Sequence, residues 1–158
     1  MDYEDLEIRP ARFDEADLLS HICFRARSYW DYPRELMAYW EESGELSVSS
    51  EEIEKDPAYV IENGGLEVLG FYTMRIEGGE CRIRNLCVLP EYVGANIRTM
   101  LFLHACELAE TLGAESVVAV SDSFASSFYE EMGAERIGED IERSPAGDRT
   151  MAVLKLDL

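Results

Sequence analysis

The chain has 158 residues, of which 47% are hydrophobic, and it carries a formal net charge of −19 at neutral pH. This length and composition suit one globular domain with a buried core, and no apolar run is long enough to span a membrane. Nucleic acids and anionic membranes bind basic faces, so the charge argues against both as partners. A cationic or amine substrate would be attracted instead.

The N-terminal stretch Met1–Asp5 is acidic and lacks the pattern of a signal peptide, so we expect a cytoplasmic protein. The 33 acidic residues are accompanied by 14 basic ones, of which only Lys55 and Lys155 are lysines. An excess of carboxylates marks proteins of a high-salt cytoplasm, where screening relieves self-repulsion, and equally marks ordinary acidic proteins. The sequence leaves both explanations open.

The four cysteines are scattered along the chain and show no paired C-x-x-C spacing: Cys23, Cys81, Cys87 and Cys106. In a reducing compartment such residues behave as small buried hydrophobes. Only His21 and His104 are available as histidine ligands, so we expect no metal site.

The first half of the chain predicts short strands and helices in an irregular order. Apolar periodicity, acidic first turns and a proline at a helix start give these elements. They are a strand over 6–10, helices over 14–27 and 33–42, a helical turn over 50–53, and strands over 58–62, 66–76 and 82–88. Gly44 ends the second helix, and the turns at 63–65 and 78–79 predict hairpins.

The second half contains the longest predicted helix, over 96–112, which Gly113 ends. Its apolar face is predicted to comprise Ile97, Leu101, Ala105, Leu108 and Leu112, and His104 should pack on this stripe. A continuous apolar strand over 116–120 indicates a central position in a sheet. Ser123 is expected to cap a helix through Met132, and strands over 135–142 and 150–157 follow. Periodicity alone predicts a mixed α/β domain.

The segment from Leu86 to Leu101 combines a strand that stops at Pro90, a turn at Gly94 and the start of the long helix. A helix start leaves backbone N–H groups unpaired and carries the positive end of the macrodipole, which suits a phosphate. An ordinary strand-to-helix connection has the same local pattern, so the residues of this segment leave both alternatives open.

This segment resembles the acetyl-CoA loop of GNAT-superfamily N-acetyltransferases, in which Val-x-Pro leads into Arg/Gln-x-x-Gly-x-Gly/Ala and a helix. Downstream, Phe128-Tyr129-Glu130-Glu131-Met132-Gly133-Ala134 is similar to the superfamily's Phe-Tyr-x-x-x-Gly-Phe/Ala signature. The resemblance covers residues 6–158 as a single domain. It implies an α/β (α+β) fold with a mixed, mostly antiparallel central sheet that is splayed into a V and flanked by helices. The order of strand, proline, glycine and helix, with the later Phe128-Tyr129 block, predicts that the central strands diverge after residues 86–88.

The resemblance also implies acetyl-CoA as cosubstrate. The matched positions are Leu86, Cys87 and Val88 on the strand, Gly94, Ala95, Asn96, Ile97, Arg98 and Thr99 at the helix start, and Phe128. The pyrophosphate would lie on the N–H groups of residues 94–98. The loop departs from the pattern, because Val93 stands where Arg or Gln is usual and Asn96 and Arg98 replace glycines. Asn tolerates a left-handed conformation, and Arg98 would pair with a phosphate.

Tyr129 is expected by resemblance to lie near the sulfur and to protonate the leaving thiolate of CoA, a role that suits a phenol. The base is not assigned by the sequence. Glu80 precedes the central strand and Asp122 follows the next one, and a free amine also loses its proton to water. Phe124 occupies a position where related sequences often carry an Asn that bonds the cofactor.

The aromatic segment from Ser28 to Trp40 resembles the Ser-Tyr-Trp-Gly-Tyr-Pro-x-Glu-Leu-Met segment of a bacterial and archaeal GNAT subgroup. In that fold the first two helices wall the acceptor pocket, so Trp30 and Tyr32 are the candidates for substrate binding, where aromatic rings suit a cation or a flat group. Packing between helices and sheet explains the same aromatics equally well. Arg149 also matches the subgroup and fits either role.

We therefore expect an acyl-CoA-dependent N-acyltransferase that acts on a small or peptide amine. The sequence leaves open whether the protein forms a homodimer. The alternative is a non-catalytic GNAT-fold module that binds acyl-CoA or a protein partner and regulates it. A more distant alternative is an α/β domain whose helix start binds another phosphate.

Overall fold

The computed structural model describes residues 5–65 and 67–158. The acidic residues 1–4 and Leu66, with which a predicted strand begins, lie outside the described residues. The strands are β1 Leu6–Pro10, β2 Ala58–Asn63, β3 Glu67–Glu77, β4 Glu80–Val88, β5 Ser116–Ser121, β6 Glu135–Glu142 and β7 Arg149–Asp157. The helices are α1 Ala16–Ser28, α2 Arg34–Ser43, α3 Ser50–Lys55, α4 Ile97–Thr111 and α5 Ser126–Glu131.

The strands in residues 5–65 and 67–158 form one seven-stranded sheet with the order β1-β2-β3-β4-β5-β7-β6. Every neighbouring pair is antiparallel except β4 and β5, which are parallel. The mixed, mostly antiparallel sheet flanked by helices is thus confirmed. The β3–β4 hairpin turns through Gly78 and Gly79, whose φ values of 56° and 79° suit the predicted glycine turn.

Helices cover both faces of the sheet and create two apolar clusters. On one face α4 buries Ile97, Leu101 and Phe102 against β3, β4 and β5. His104 packs on this face as predicted, with its Nδ1 atom 2.7 Å from the Tyr72 hydroxyl. On the other face α1 and α2 form the second cluster around Trp40. Within the ranges that the structure describes, no helix has the length and apolarity needed to cross a bilayer.

Two local predictions about helix ends are wrong. Leu112 is 52% exposed, because it caps α4 in a last turn that faces solvent, and Phe102 and Ala109 occupy the buried face in its place. Ser123 does not cap α5, which begins at Ser126 with Ala125 as its N-cap, two residues later than predicted. Asp122 organises this turn instead, since its carboxylate accepts the Phe124 N–H and its carbonyl accepts that of Ser126.

The separation of β4 from β5 is the feature that creates the cleft. The two strands pair only from Glu80 to Arg82 and from Ser116 to Val118, and the pairing ends there. We expected it to end after residues 86–88, which is too late. A register shift at Thr73/Met74 leaves Arg84 as a bulge in β4, and a bulged strand bends away from its neighbour. Val120, predicted to be covered, is consequently 39% exposed in the opening.

Candidate active site

The V between β4 and β5 opens into a cavity of about 830 Å³. Its walls come from α1, from the loop that follows it, from β4 and β5, from α5, and from the β6–β7 hairpin. Among the residues that the structure describes, β4 has no pairing partner on its β5 side beyond Arg82, so backbone N–H and C=O groups of its second half face the cavity. This free strand edge suits an extended ligand with amide groups, because such a ligand can continue the ladder.

The start of α4 lies beside this edge and presents free donors. Pro90–Tyr92 form a 3-10 turn, Gly94 has φ 91° and Asn96 has φ 62°, so Asn96 takes the left-handed conformation expected of it. No side chain in the described part of the protein caps the helix, and the first N–H that bonds back along it is that of Met100, which donates to the Asn96 carbonyl at 3.0 Å. The N–H groups of residues 97–99 are therefore available to an anion.

One of the loop N–H groups is already used. Ala95 donates to the Tyr92 carbonyl at 3.1 Å. The side chain of Ile97 is buried in the core, so this residue offers only its backbone to a ligand. Within the described chain, the anion-binding capacity of the loop thus lies on both sides of Ala95.

Arg98 turns towards the cleft and is partly buried. Its guanidinium carbon lies 4.2 Å from the centre of the Phe128 ring, and the side chain lines the cavity. Removal from water lowers the pKa of Arg98, and none of the described carboxylates forms an ion pair with it. A half-buried guanidinium without a counter-ion is costly unless a ligand supplies the negative charge.

Tyr129 lies next to Arg98 on the cavity wall. It is 9% exposed, and its ring packs edge-on against Phe102 and Phe128 at centroid distances of 5.6 and 5.3 Å. Its hydroxyl bonds no described residue and is not sealed off, so it faces the cavity. Burial raises the pKa of Tyr129, and the neighbouring Arg98 opposes that rise. The phenol is thus protonated at physiological pH and free to donate.

The opposite wall is aromatic. Trp30, from the loop after α1, stacks on Phe124, from the loop after β5, with ring centroids 5.2 Å apart and planes 20° apart. Tyr32 meets Phe124 edge-on at 5.2 Å and Trp40 at 4.9 Å. Trp30 and Tyr32 therefore line the cleft, and they do so by joining two loops that are far apart in the sequence.

A polar network centred on Arg149 fixes this wall. Arg149 donates through Nε to Glu142 at 2.9 Å, and its Nη1 lies 3.5 Å from Asp122. Asp122 also accepts the Tyr32 hydroxyl, and Glu142 accepts the Trp40 indole N–H at 3.3 Å. Sequence reasoning missed Glu142, although its position opposite Arg149 at the ends of a predicted hairpin was a usable signal.

The structure brings together some of the predicted site residues and separates others. Those that line the cleft are Leu86, Cys87, Arg98, Tyr129, Trp30 and Tyr32. Gly94, Ala95, Asn96 and Thr99 lie around the start of α4, Val88 is buried at the end of β4, and Phe128 supports Arg98 from beneath. Of the two carboxylates considered as a base, Asp122 lines the cleft, whereas Glu80 lies outside it beside Arg82.

A comparison of the sequence with protein-family models agrees with this geometry, in which a splayed sheet, a donor-rich helix start and a tyrosine form the cleft. The model of the acetyltransferase (GNAT) family matches residues 17–134. The chain belongs to this family. As a GNAT protein it is an acetyltransferase of a family that uses acetyl-CoA. Comparison with curated proteins finds no match.

Solved structures share the whole GNAT fold at low sequence identity. A GCN5-related N-acetyltransferase from Rhodopseudomonas palustris aligns with a TM-score of 0.84 and 18% identity over 100% of this chain and 99% of that one. PaiA N-acetyltransferase from Thermoplasma acidophilum, in complex with coenzyme A, aligns with a TM-score of 0.75 and 18% identity over 97% of this chain and 99% of that one. The ribosomal-protein-S18-alanine N-acetyltransferase from Escherichia coli aligns with a TM-score of 0.71 and 18% identity over 96% of this chain and 93% of that one. At this identity the likeness shows the fold.

Charge in the cleft of this GNAT chain differs from the charge of the whole protein. Six arginines and five carboxylates line the cavity, although the chain as a whole carries −19. Half of the arginines are thus gathered at the site. The lining of the cavity is therefore close to neutral, in contrast to the strongly acidic protein as a whole.

Proposed function

We propose that this protein transfers the acetyl group of acetyl-CoA to a primary amine of a small molecule or peptide. The observation that carries the proposal is the Tyr129 hydroxyl, which is protonated, unbonded to described residues and aimed into the cleft beside an arginine. Such a group donates a proton to a developing thiolate. Family membership supports acetyl transfer, and the amine acceptor is our inference.

The donor would bind across the free edge of β4 and the start of α4. Backbone groups of Leu86, Cys87 and Val88 pair with the amide groups of the pantetheine arm, and the N–H groups at residues 94 and 96–99 hold the pyrophosphate. The loop differs from the family pattern at Val93, Asn96 and Arg98. Asn96 preserves the left-handed turn, and Arg98 adds a positive charge, so we propose that the altered loop still binds the donor.

In the reaction, a bond forms between the acceptor nitrogen and the acetyl carbonyl carbon while the bond from that carbon to sulfur breaks. The leaving sulfur takes the proton of the Tyr129 hydroxyl, which water then restores. The nitrogen gives up one proton to water. Asp122 and Glu142 are both engaged by Arg149, so neither is assigned as the base.

The acceptor would enter on the side walled by Trp30 and Tyr32. We further propose that the protein works in the cytoplasm, binds neither nucleic acid nor membrane, and associates as a homodimer. The acidic net charge supports the expectation that the protein binds neither nucleic acid nor an anionic membrane. For the last, β6 is an edge strand of the sheet on which Ile137 and Ile141 are 57% and 53% exposed, a surface on which a second copy can pair.

A second candidate is a non-catalytic module that binds acyl-CoA and regulates a partner. The replaced loop glycines and the aromatic Phe124 favour it. Thermal stabilisation by acetyl-CoA and not by ATP identifies the donor site for both candidates. Release of free thiol with a panel of amines then separates them. Turnover that disappears in Tyr129→Phe establishes the enzyme, whereas stabilisation without turnover of any amine establishes the module.

A further inference from the structure

The aromatic wall of the cleft leaves only part of its ring surface open. Phe124 remains 40% exposed although it stacks on Trp30 and meets Tyr32 edge-on. Trp30 comes from the loop between α1 and α2, and Phe124 comes from the loop between β5 and α5. The open surface of this pair is apolar, and Trp30 lines the cavity that contains Tyr129.

Two arginines of the protein already lie over aromatic rings of this wall. The Arg149 guanidinium lies 5.4 Å from the Tyr32 ring and 5.2 Å from the Trp40 ring, and Arg27 lies 4.6 Å from the Trp40 ring. The two carboxylates of the wall, Asp122 and Glu142, are bound by Arg149 as well. Arginines of the protein thus already lie over Tyr32 and Trp40, whereas none lies over Trp30 or Phe124 among the described residues.

We infer that the acceptor is a primary amine carried on an aromatic ring, such as an arylalkylamine, and that its ring packs against Trp30 and Phe124. This rests on the proposed N-acetyl transfer at the same site. Aromatic pairs in offset or edge-to-face contact are favoured beyond the burial of their area. A polyamine has no aromatic ring and would gain none of this contact.

The charges around the wall are close to balanced. Arg149 is paired with both Asp122 and Glu142, and Arg27 lies 3.9 Å from Glu45. The uncharged ring of the acceptor therefore supplies affinity for the wall that does not depend on a free charge of the protein.

The test compares three amines with the full chain and acetyl-CoA: 2-phenylethylamine, 2-cyclohexylethylamine and spermidine. The first two differ in the ring's π system and not in chain length. We expect kcat/KM for 2-phenylethylamine to exceed that for the other two by about tenfold. Trp30→Ala should raise the KM for 2-phenylethylamine by about tenfold with kcat retained, and Trp30→Phe should restore it. Phe13→Ala, at a 63% exposed ring outside the cleft, is the matched control.

The outcomes separate this inference from the proposed function. Equal or better turnover of spermidine, with Trp30→Ala unchanged, overturns the aromatic acceptor and leaves N-acetyl transfer standing. If no amine is turned over, N-acetyl transfer fails, and calorimetric titration of 2-phenylethylamine decides the ring site by itself. Binding that Trp30→Ala abolishes and Phe13→Ala preserves supports the site, and no binding to wild type overturns it.

Discussion

The guanidinium of Arg98 packs over the ring of Phe128, 4.2 Å from its centre, in the first turn of α4. The family pattern has glycine at this position of the loop. In this chain a positively charged side chain therefore lies where the pattern has no side chain. Because Phe128 is 7% exposed and belongs to the core, the arginine has a rigid support that holds it at the cleft. The charge is therefore fixed in place before any anion binds.

Arg98→Glu should weaken acetyl-CoA binding by at least about tenfold, because it replaces a half-buried cation by an anion beside an anionic ligand. Calorimetry on the two proteins measures the change. Arg143→Glu makes the same change of charge at a side chain that is 76% exposed on the β6–β7 turn, and it should leave the affinity nearly unaltered. Equal losses in both variants would mean that only the overall charge matters.

Tyr129→Phe should lower kcat by about a hundredfold while acetyl-CoA affinity is kept, since the hydroxyl acts on the leaving group. Burial raises the pKa of Tyr129, so the protonated form persists above the usual value near 10. We therefore expect no loss of kcat between pH 7 and about pH 10 in the wild type. Tyr39→Phe, on α2 outside the cleft, is the control. An alkaline decline near pH 8 would contradict the assignment.

Gly70→Ala should disturb the strand that holds the donor. A Cβ atom at Gly70 would lie 2.6 Å from the Cys87 carbonyl oxygen and 3.2 Å from the Val88 Cα atom, and backbone cannot yield as a side chain does. We expect a loss of about 1–3 kcal/mol in the free energy of unfolding, together with weaker acetyl-CoA binding. Gly138→Ala in β6, with nothing within 4 Å, should be close to neutral in urea denaturation.

Glu15→Gln tests the ion pair that ties the start of α1 to β1. Arg9 donates to both oxygens of Glu15 at 2.9 Å, and the Glu15 side chain is 6% exposed. These bonds lower the pKa of Glu15 below its value of 4.5 in the unfolded chain. Its contribution is present above that value and is lost as the pH falls through the lower, folded value.

At pH 7 the variant should therefore lose about 3 kcal/mol of unfolding free energy, and the difference should shrink below about pH 4. Urea denaturation at the two pH values measures it. Asp14→Asn removes a neighbouring pair with Arg12 in which the two side chains are 64% and 63% exposed, and it should cost no more than about 0.5 kcal/mol. A difference for Glu15→Gln that grows towards low pH would reverse the sign and contradict the prediction.

Local chemistry determined most of the elements from the sequence. Strand alternation in residues 6–10, the Gly44 stop after α2 and the Gly78-Gly79 hairpin are all present in the structure, because each depends on residues close in the chain. The left-handed Asn96 belongs to the same class, since its conformation follows from its own side chain. The family pattern likewise depends on contiguous residues, and it led to the mixed, mostly antiparallel sheet flanked by helices.

Only the tertiary structure decided where the cleft opens and what charge it contains. The strands separate at Arg82 because a bulge forms opposite β3, and the sequence of β4 alone contains no sign of that partner register. Arg98 turns inward because Phe128 offers a ring thirty residues later, and Tyr32 meets Asp122 across ninety residues. Side-chain direction is set by what the folded chain brings within contact distance, and periodicity records only which face of an element is covered.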